Sequence, residues 1–384
     1  MESLHFGAGN IGRGVIGKLL SDSGFNVIFV DINQFLIDAI NYHKKYNVRL
    51  VSEYQDKIEC VKNVSAIHID NPNIIKIIAN VTIITTAVGF NILDKIAIII
   101  AKGLIYKMDT GSNKPLNIIS CENKFLASSY LKKVVLSYLP IQYHGYLKKY
   151  IGFVDCSIDS IIPSIYSKEK DMLLLIIENF QEWIVNSKQF KGDIPNIKDM
   201  KLKNNIISYI ERKLFTLNTG HAIAAYLGLI QGYETIQSAI QDHHIYKLVK
   251  NAMRESGEVL IKKYNFNKND HFSYINHVLS RFKNPFLLDP LKRIARNPVQ
   301  KLDKEERLFK PALGAIKYNF SYSYLIKGIA AALYYRNEND LESIQIGIMI
   351  KKYGIKKSIL TISRLDNYAD FISDIIAEYN VLLS

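Results

Sequence analysis

The stretch Gly7-Ala8-Gly9-Asn10-Ile11-Gly12 decides the fold of this chain. Ser3-Leu4-His5-Phe6, just before it, has the pattern of a short strand. Arg13-Gly14-Val15-Ile16-Gly17-Lys18-Leu19-Leu20 follows and reads as a helix. Phe25-Asn26-Val27-Ile28-Phe29-Val30 reads as a second strand, ending in Asp31. A GxGxxG alone is a weak signal. Between a strand and a helix, with an acid 19 residues beyond its last glycine, it marks a dinucleotide-binding unit. Gly7 permits the tight turn, Gly9 lets the backbone approach a pyrophosphate, and Gly12 lets the helix pack closely on the strand. The helix amino terminus offers unpaired N–H groups and a partial positive charge to phosphates. Asp31 is placed to accept hydrogen bonds from an adenosine ribose. Its charge repels a 2′-phosphate, so NAD is expected rather than NADP.

The alternation of strand and helix continues. Gln34–Tyr46 reads as a helix, and residues 48–51 and 58–61 as short strands or a hairpin. Val81 to Gly89 is a buried strand running into a small-residue turn that includes Thr86, of the kind that borders a dinucleotide. Residues 91–102 read as a helix, 116–120 as a strand and 125–138 as a helix. Strand patterns at 152–156 and 158–163 follow. Asn123 and Asp159 fall at strand ends, where open α/β sheets bind ligands. From about residue 195 the pattern turns helical: 205–215, 219–229, 235–263, 272–282, 308–318, 323–335, 340–353 and 368–383. The expected architecture is an α/β Rossmann-type domain over 1–194 and a mostly all-α domain over 195–384.

Length and composition fit this division. A chain of 384 residues that is 48% hydrophobic has room for two domains and a sizeable core. Cys60, Cys121 and Cys156 are too scattered for a disulfide framework or a CxxC metal pattern, which suits a reducing compartment. No secretory signal is visible, and no apolar run reaches the roughly 18 residues of a membrane helix. A cytoplasmic protein without a membrane partner is expected. The net charge of +13 raises the question of nucleic acid. The lysines are scattered, however, with no RNA-binding motif and no aromatic-basic ribbon, so no nucleic-acid partner is expected. One segment is concentrated in charge: Lys292, Arg293, Arg296 and Lys301, with Arg307 and Lys310 beyond. It reads either as a solvated loop or as a site for an anionic small molecule.

The second chemistry-bearing stretch is Glu211 to His221, which contains Lys213, Asn218 and His221. A lysine becomes a general base when burial lowers its pKa, and Asn and His can hydrogen-bond a developing oxyanion. In an ideal α-helix Asn218 and His221 share a face, whereas Lys213 lies about 140° around from Asn218. An exposed Glu-Arg-Lys run before an ordinary core helix has the same residues. If the three act together, the lysine must converge from another side or the helix must be irregular.

Together these stretches resemble the polyol-specific long-chain dehydrogenases of the mannitol dehydrogenase family. The resemblance runs essentially end to end. Its landmarks are Leu4 to Gly14, Thr85 to Gly89, Ser120-Cys121-Glu122-Asn123, Phe153-Val154-Asp155, Glu211 to Tyr226 and Gly328 to Ala332. The spacing Lys-x4-Asn-x2-His is the family's catalytic signature. The resemblance implies an NAD-binding Rossmann domain, a helical substrate domain, an active site between them and no metal. It implies interconversion of D-mannitol 1-phosphate and D-fructose 6-phosphate by a monomer or weak oligomer. Lys213 carries over as general base, with Asn218 and His221 orienting the substrate and stabilising the alkoxide. Ser3, Leu4, His5, Phe6, Gly7, Ala8, Gly9, Asn10, Ile11, Gly12, Arg13, Gly14, Asp31 and Thr86 carry over as the cofactor-binding set. Asn123, Asp159, Arg293 and Lys301 match positions used around the substrate. Two positions depart from the family: Ser160 and Leu126 stand where it usually has arginines. Oxidation of a free hexitol or hexonate is the enzymatic alternative, and a catalytically silent NAD-responsive binding protein the non-enzymatic one.

Overall fold

The computed structural model describes residues 1–52, 55–161, 171–180, 182–286, 288–365 and 368–384. The chain divides into two units, Met1–Ile210 and Glu211–Ser384.

The first unit is built on strands β1 (Glu2–Phe6), β2 (Asn26–Asp31), β3 (Lys45–Ser52), β4 (Gln55–Lys62), β5 (Val64–His68) and β6 (Ile83–Thr86). They are followed by β7 (Leu116–Ser120), β8 (Ile151–Phe153), β9 (Cys156–Asp159), β10 (Leu174–Glu178), β11 (Glu182–Asn186) and β12 (Met200–Lys203). Six of them form a parallel sheet in the order β5-β2-β1-β6-β7-β8. Numbered within that sheet alone, this is the 3-2-1-4-5-6 order of a Rossmann fold. β1 is central, and Ser3 through Phe6 are buried because helices cover both faces. Val27 and Phe29 pack with Val15 and Ile16 on one face, and Leu4, Phe6 and Ile84 pack with Ile100 on the other. The order reverses at β1, so the turn after β1 opens at the sheet's switch point.

Two smaller sheets complete this unit. β3 and β4 pair as an antiparallel hairpin, and β10 joins β3 in parallel. β11 lies between β9, antiparallel, and β12, parallel. The helix after β2 ends at His43, earlier than its periodicity suggests, because Lys44 takes a left-handed conformation with φ 54°. The helix before β7 instead runs from Leu93 to Asp109, beyond the expected 102. The strand pattern at 158–163 is realised as β9, and from residue 162 it lies outside the described residues.

The second unit is mostly helical. Its buried centre is the helix Thr219–Ile230, in which residues 222 through 228 are all buried. Small residues let its neighbours approach closely. A Cβ on Gly328, in the helix Ser323–Tyr334, would stand only 2.4 Å from Ile223. The pattern at 235–263 is two helices, Ile236–Gln241 and His243–Tyr264. Asp242 separates them: its ψ of 123° breaks the first, and its carboxylate caps the second by accepting the Ile245 N–H at 2.9 Å. The basic segment contains two short helices, Leu291–Ala295 and Pro298–Lys301. A further helix, Ile355–Ser363, follows Gly354.

Candidate active site

The turn after β1 has the shape of a phosphate cradle. Gly7 has φ +98°, and a Cβ there would meet the Ala87 carbonyl oxygen at 2.5 Å. A Cβ on Gly12 would lie 1.9 Å from the Gly7 oxygen and 2.6 Å from His5 Nε2. At Gly9 a Cβ would meet nothing within 4 Å. The outer two glycines are therefore required by packing, whereas Gly9 faces open space where a pyrophosphate can approach. The arrangement fits a dinucleotide.

Asp31, at the end of β2, ties this turn down. Its carboxylate accepts the Ala8 N–H at 2.7 Å, and the N–H groups of Ile32 and Asn33 at 2.8 and 3.0 Å. A carboxylate has about four lone-pair positions, so capacity remains for a hydroxyl donor. Beneath the turn the side chains of Ser3, Leu4, His5 and Phe6 are interior. His5 Nδ1 lies 2.6 Å from Thr85 Oγ1, and burial pushes its pKa down to about 3, so this imidazole is neutral. Arg13 is buried and donates to the carbonyls of Ala8 at 2.7 Å and Met172 at 2.8 Å. Ile11 packs partly buried against the core, Gly14 abuts Ile177, and Asn10 is exposed.

Glu122 organises the facing loop, a role its place in the sequence does not announce. It accepts Thr86 Oγ1 and the N–H groups of Val88 and Gly89, each at 2.9 Å. Asn123, the next residue, is exposed, and Asp159 is buried at the end of β9. Leu126 packs with Ile184, Ile206 and Ile210, so an apolar cluster has formed around the position where the resemblance implies an arginine. Ser160 Oγ has no hydrogen-bond partner among the described residues.

In the second unit Lys213–Asn218 is a π-helical turn, running directly into the α-helix Thr219–Ile230. A π-helix bonds i to i+5 and advances only about 82° per residue. Five such steps set Asn218 about 50° from Lys213, instead of the 140° of an α-helix. Three α-helical steps then bring His221 roughly into line with Lys213. The irregularity thus gathers the three residues on one face. Hydroxyls support it: Ser256 donates to the Phe215 carbonyl, and Thr219 Oγ1 lies 3.3 Å from the Leu214 carbonyl oxygen and 2.7 Å from that of Arg307. A hydroxyl near a carbonyl displaced from the α-helical ladder offsets the loss of its ordinary bond.

His221 stacks on Phe282, with ring centroids 5.0 Å apart and planes 18° apart. Its Nε2 has no hydrogen-bond partner among the described residues, although Asp289 Oδ2 is 3.6 Å away. Burial pushes the His221 pKa down to about 4; Asp289 opposes the shift, and Arg293, Arg281 and Arg307 reinforce it. A neutral imidazole therefore sits in a cationic environment. Asp289 is fully buried and accepts a bidentate pair from Arg293, Nε at 2.6 Å and Nη2 closer still. Lys301 donates to the Arg296 carbonyl, and burial, helped by Arg307, lowers its pKa to about 8. Asp289 and Arg281 were not among the residues singled out from the sequence, whereas Arg307 was, as part of the basic segment. The only local signal for Asp289 is its i, i+4 spacing to Arg293. Among the described residues no three His, Cys, Asp or Glu side chains are grouped to hold a metal ion, and no helix is long and apolar enough to cross a membrane.

A Rossmann unit with an open glycine turn after its first strand, followed by a helical unit bearing Lys, Asn and His on one face, defines the architecture of a dinucleotide-linked alcohol dehydrogenase. Residues 1–199 match the mannitol dehydrogenase Rossmann domain, and residues 205–378 the mannitol dehydrogenase C-terminal domain. The chain belongs to the mannitol dehydrogenase family and is a polyol dehydrogenase. It is 59% identical over 382 residues to mannitol-1-phosphate 5-dehydrogenase of Buchnera aphidicola subsp. Acyrthosiphon pisum (strain Tuc7), covering 100% of this chain and 99% of that protein. The same-named protein of Buchnera aphidicola subsp. Schizaphis graminum (strain Sg) is 52% identical over 384 residues, again with 100% and 99% covered. Among solved structures, substrate-free D-sorbitol dehydrogenase superposes with a TM-score of 0.85 at 17% identity, covering 100% of this chain and 93% of that one. Pseudomonas fluorescens mannitol 2-dehydrogenase, in ternary complex with NAD and D-mannitol, gives 0.80 at 14%, covering 100% and 92%.

Proposed function

We propose that this chain interconverts D-mannitol 1-phosphate and D-fructose 6-phosphate with NAD, and that Lys213 is the general acid/base. The observation that carries the reading is the π turn, which rotates Lys213 onto the face of Asn218 and His221. The names of the 59% and 52% identical relatives support the substrate pair. The cations that act on His221 support a phosphorylated substrate over a free hexitol.

NAD, when bound, supplies the hydride acceptor; the Gly7–Gly12 turn would hold its pyrophosphate and Asp31 its adenosine ribose. Lys213, in its neutral form, takes the proton of the reacting hydroxyl. Asn218 and the neutral His221 donate hydrogen bonds to the same oxygen, stabilising negative charge as it develops. In the reductive direction protonated Lys213 returns the proton. Arg293 and Lys301 attract the phosphate, while Asn123 and Asp159 bind the polyol hydroxyls.

The test is NADH consumption, followed by absorbance, with fructose 6-phosphate. The wild type turns over, and Lys213→Ala loses at least about a thousandfold in kcat while NADH binding, read by fluorescence, is kept. Undiminished turnover in the variant overturns the assignment of Lys213. Absence of wild-type turnover overturns the substrate.

A further inference from the structure

On the far side of the π turn the helical unit contains a cavity of about 650 Å³. None of Lys213, Asn218, His221, Arg293 or Lys301 lines it. Its volume is that of a small-molecule site. Phe215, Leu260 and the helix Phe309–Tyr318 supply an apolar wall. Among the described residues the rim is cationic: Lys263, Lys304, Lys310, Lys317 and Arg364 line it against Glu211 and Glu305, and Arg364 pairs with the neighbouring Asp303, which leaves an excess of two positive charges (5 − 3).

The carboxylates are already engaged. Glu211 binds Lys263 at 2.6 Å, and Glu305 pairs with Lys310. Among the described residues Lys304 reaches only the Arg364 carbonyl, at 3.2 Å, and Lys317 lies 5.7 Å from the centroid of the Tyr318 ring. Among the described residues neither lysine pairs with a carboxylate in the ion pairs of this cavity. An apolar wall below such a rim matches an anion carrying an apolar body, with a phosphate monoester as its head.

The cavity also touches the catalytic turn. Phe215 follows Lys213 by two residues, so in either helical form it projects roughly opposite the lysine. Ser256, whose hydroxyl holds the Phe215 carbonyl in the π turn, lines the same cavity. An occupant therefore packs against both the turn and its brace.

We propose that this cavity binds an amphipathic phosphate monoester, and that its occupation braces the π turn and raises turnover without competing with the sugar phosphate. The second part rests on the role proposed for Lys213; the first does not. A ligand that favours one of two backbone states shifts their populations by its difference in affinity for them.

Calorimetry on the full chain with decyl phosphate, with no substrate present, tests the site. Binding with a Kd of about 0.1 mM or tighter is expected. Inorganic phosphate and decanol should each bind at least tenfold more weakly. The pair Lys304→Gln/Lys317→Gln should weaken decyl phosphate at least tenfold, and so should Leu313→Trp, which fills the cavity and keeps every cation. Absence of binding, or binding indifferent to both variants, overturns the site. The fructose 6-phosphate assay tests the coupling. Decyl phosphate should raise wild-type kcat at least twofold with KM unchanged, and leave the double-lysine variant unaffected. An unchanged kcat, or inhibition competitive with fructose 6-phosphate, overturns the coupling. Wild-type enzyme without any turnover overturns the proposed reaction and the coupling that rests on it, while calorimetry still decides the site.

Discussion

Lys213 and Asn218 are the first and last residues of one π-helical turn, and this relationship sets the direction of the lysine. Ser256→Ala removes the hydroxyl that holds the Phe215 carbonyl, and the segment, its length unchanged, then relaxes toward an α-helical repeat. With five residue steps still between them, Lys213 then lies about 140° from Asn218 instead of about 50°. The variant should keep its helical circular dichroism and its NADH affinity while kcat falls at least about tenfold, the cost of a misplaced catalytic group. Retention of kcat would show that the lysine's reach, not the π turn, aligns the site.

Gly9 and Gly12 separate binding from folding. A Cβ on Gly12 would collide with the Gly7 oxygen, a backbone atom that cannot yield cheaply. Gly12→Ala should destabilise the protein by about 3 kcal/mol. A Cβ on Gly9 meets no protein atom. Gly9→Ala should therefore melt within a degree or two of wild type, and its methyl should occupy the space meant for the pyrophosphate and weaken NADH at least about tenfold. Thermal melts paired with NADH titrations distinguish the two. A large loss of stability in Gly9→Ala would contradict the geometry.

Three histidines make stability depend on acidity. Burial lowers the pKa values of His221 and His271 to about 4 and that of His5 to about 3. Below pH 6.5 the unfolded chain takes up protons that the folded chain refuses. Stability from each neutral histidine is thus full above pH 6.5 and lost as pH falls toward 4, at about 1.4 kcal/mol per pH unit for each one. His271 stacks on Phe266, so His271→Phe keeps an aromatic ring there. In that variant the fall of unfolding free energy between pH 6 and 4.5 should be shallower by about one proton. An unchanged slope would mean that His271 does not titrate in this way.

The sequence showed these features unequally, for physical reasons. β1, the glycine turn, β2 and Asp31 form one local unit with a two-residue strand period, so their pattern was legible without the rest of the chain. β10 was not, because it pairs with β3, more than a hundred residues earlier, and such pairing leaves no local trace. The mismatch between Lys213 and Asn218 was legible from phase alone, and it left either a lysine converging from another side or an irregular helix. The form of the irregularity was not, since the hydroxyl that holds the Phe215 carbonyl comes from Ser256, on another helix. Asp242 looked like one more polar residue within a long helix, yet capping makes it a boundary. Asp289 could not be paired with His221 by reading along the chain, because the two lie 68 residues apart and meet only in the folded unit.

Asp289 gives the last prediction. It is fully buried, it holds the Arg293 guanidinium in a bidentate pair, and it stands 3.6 Å from His221 Nε2. Asp289→Asn preserves the shape and removes the charge. Arg293 then loses its charged partner, and His221 loses the one group that raises its pKa. Both changes act on groups assigned to substrate, and the unpaired arginine also weakens the fold. The variant should lose roughly tenfold or more in kcat/KM for fructose 6-phosphate, mainly through KM, and should melt several degrees lower. A purely structural Asp289 would lower the melting temperature but leave KM unmoved. Steady-state kinetics well below the melting temperature of the variant separate the two outcomes.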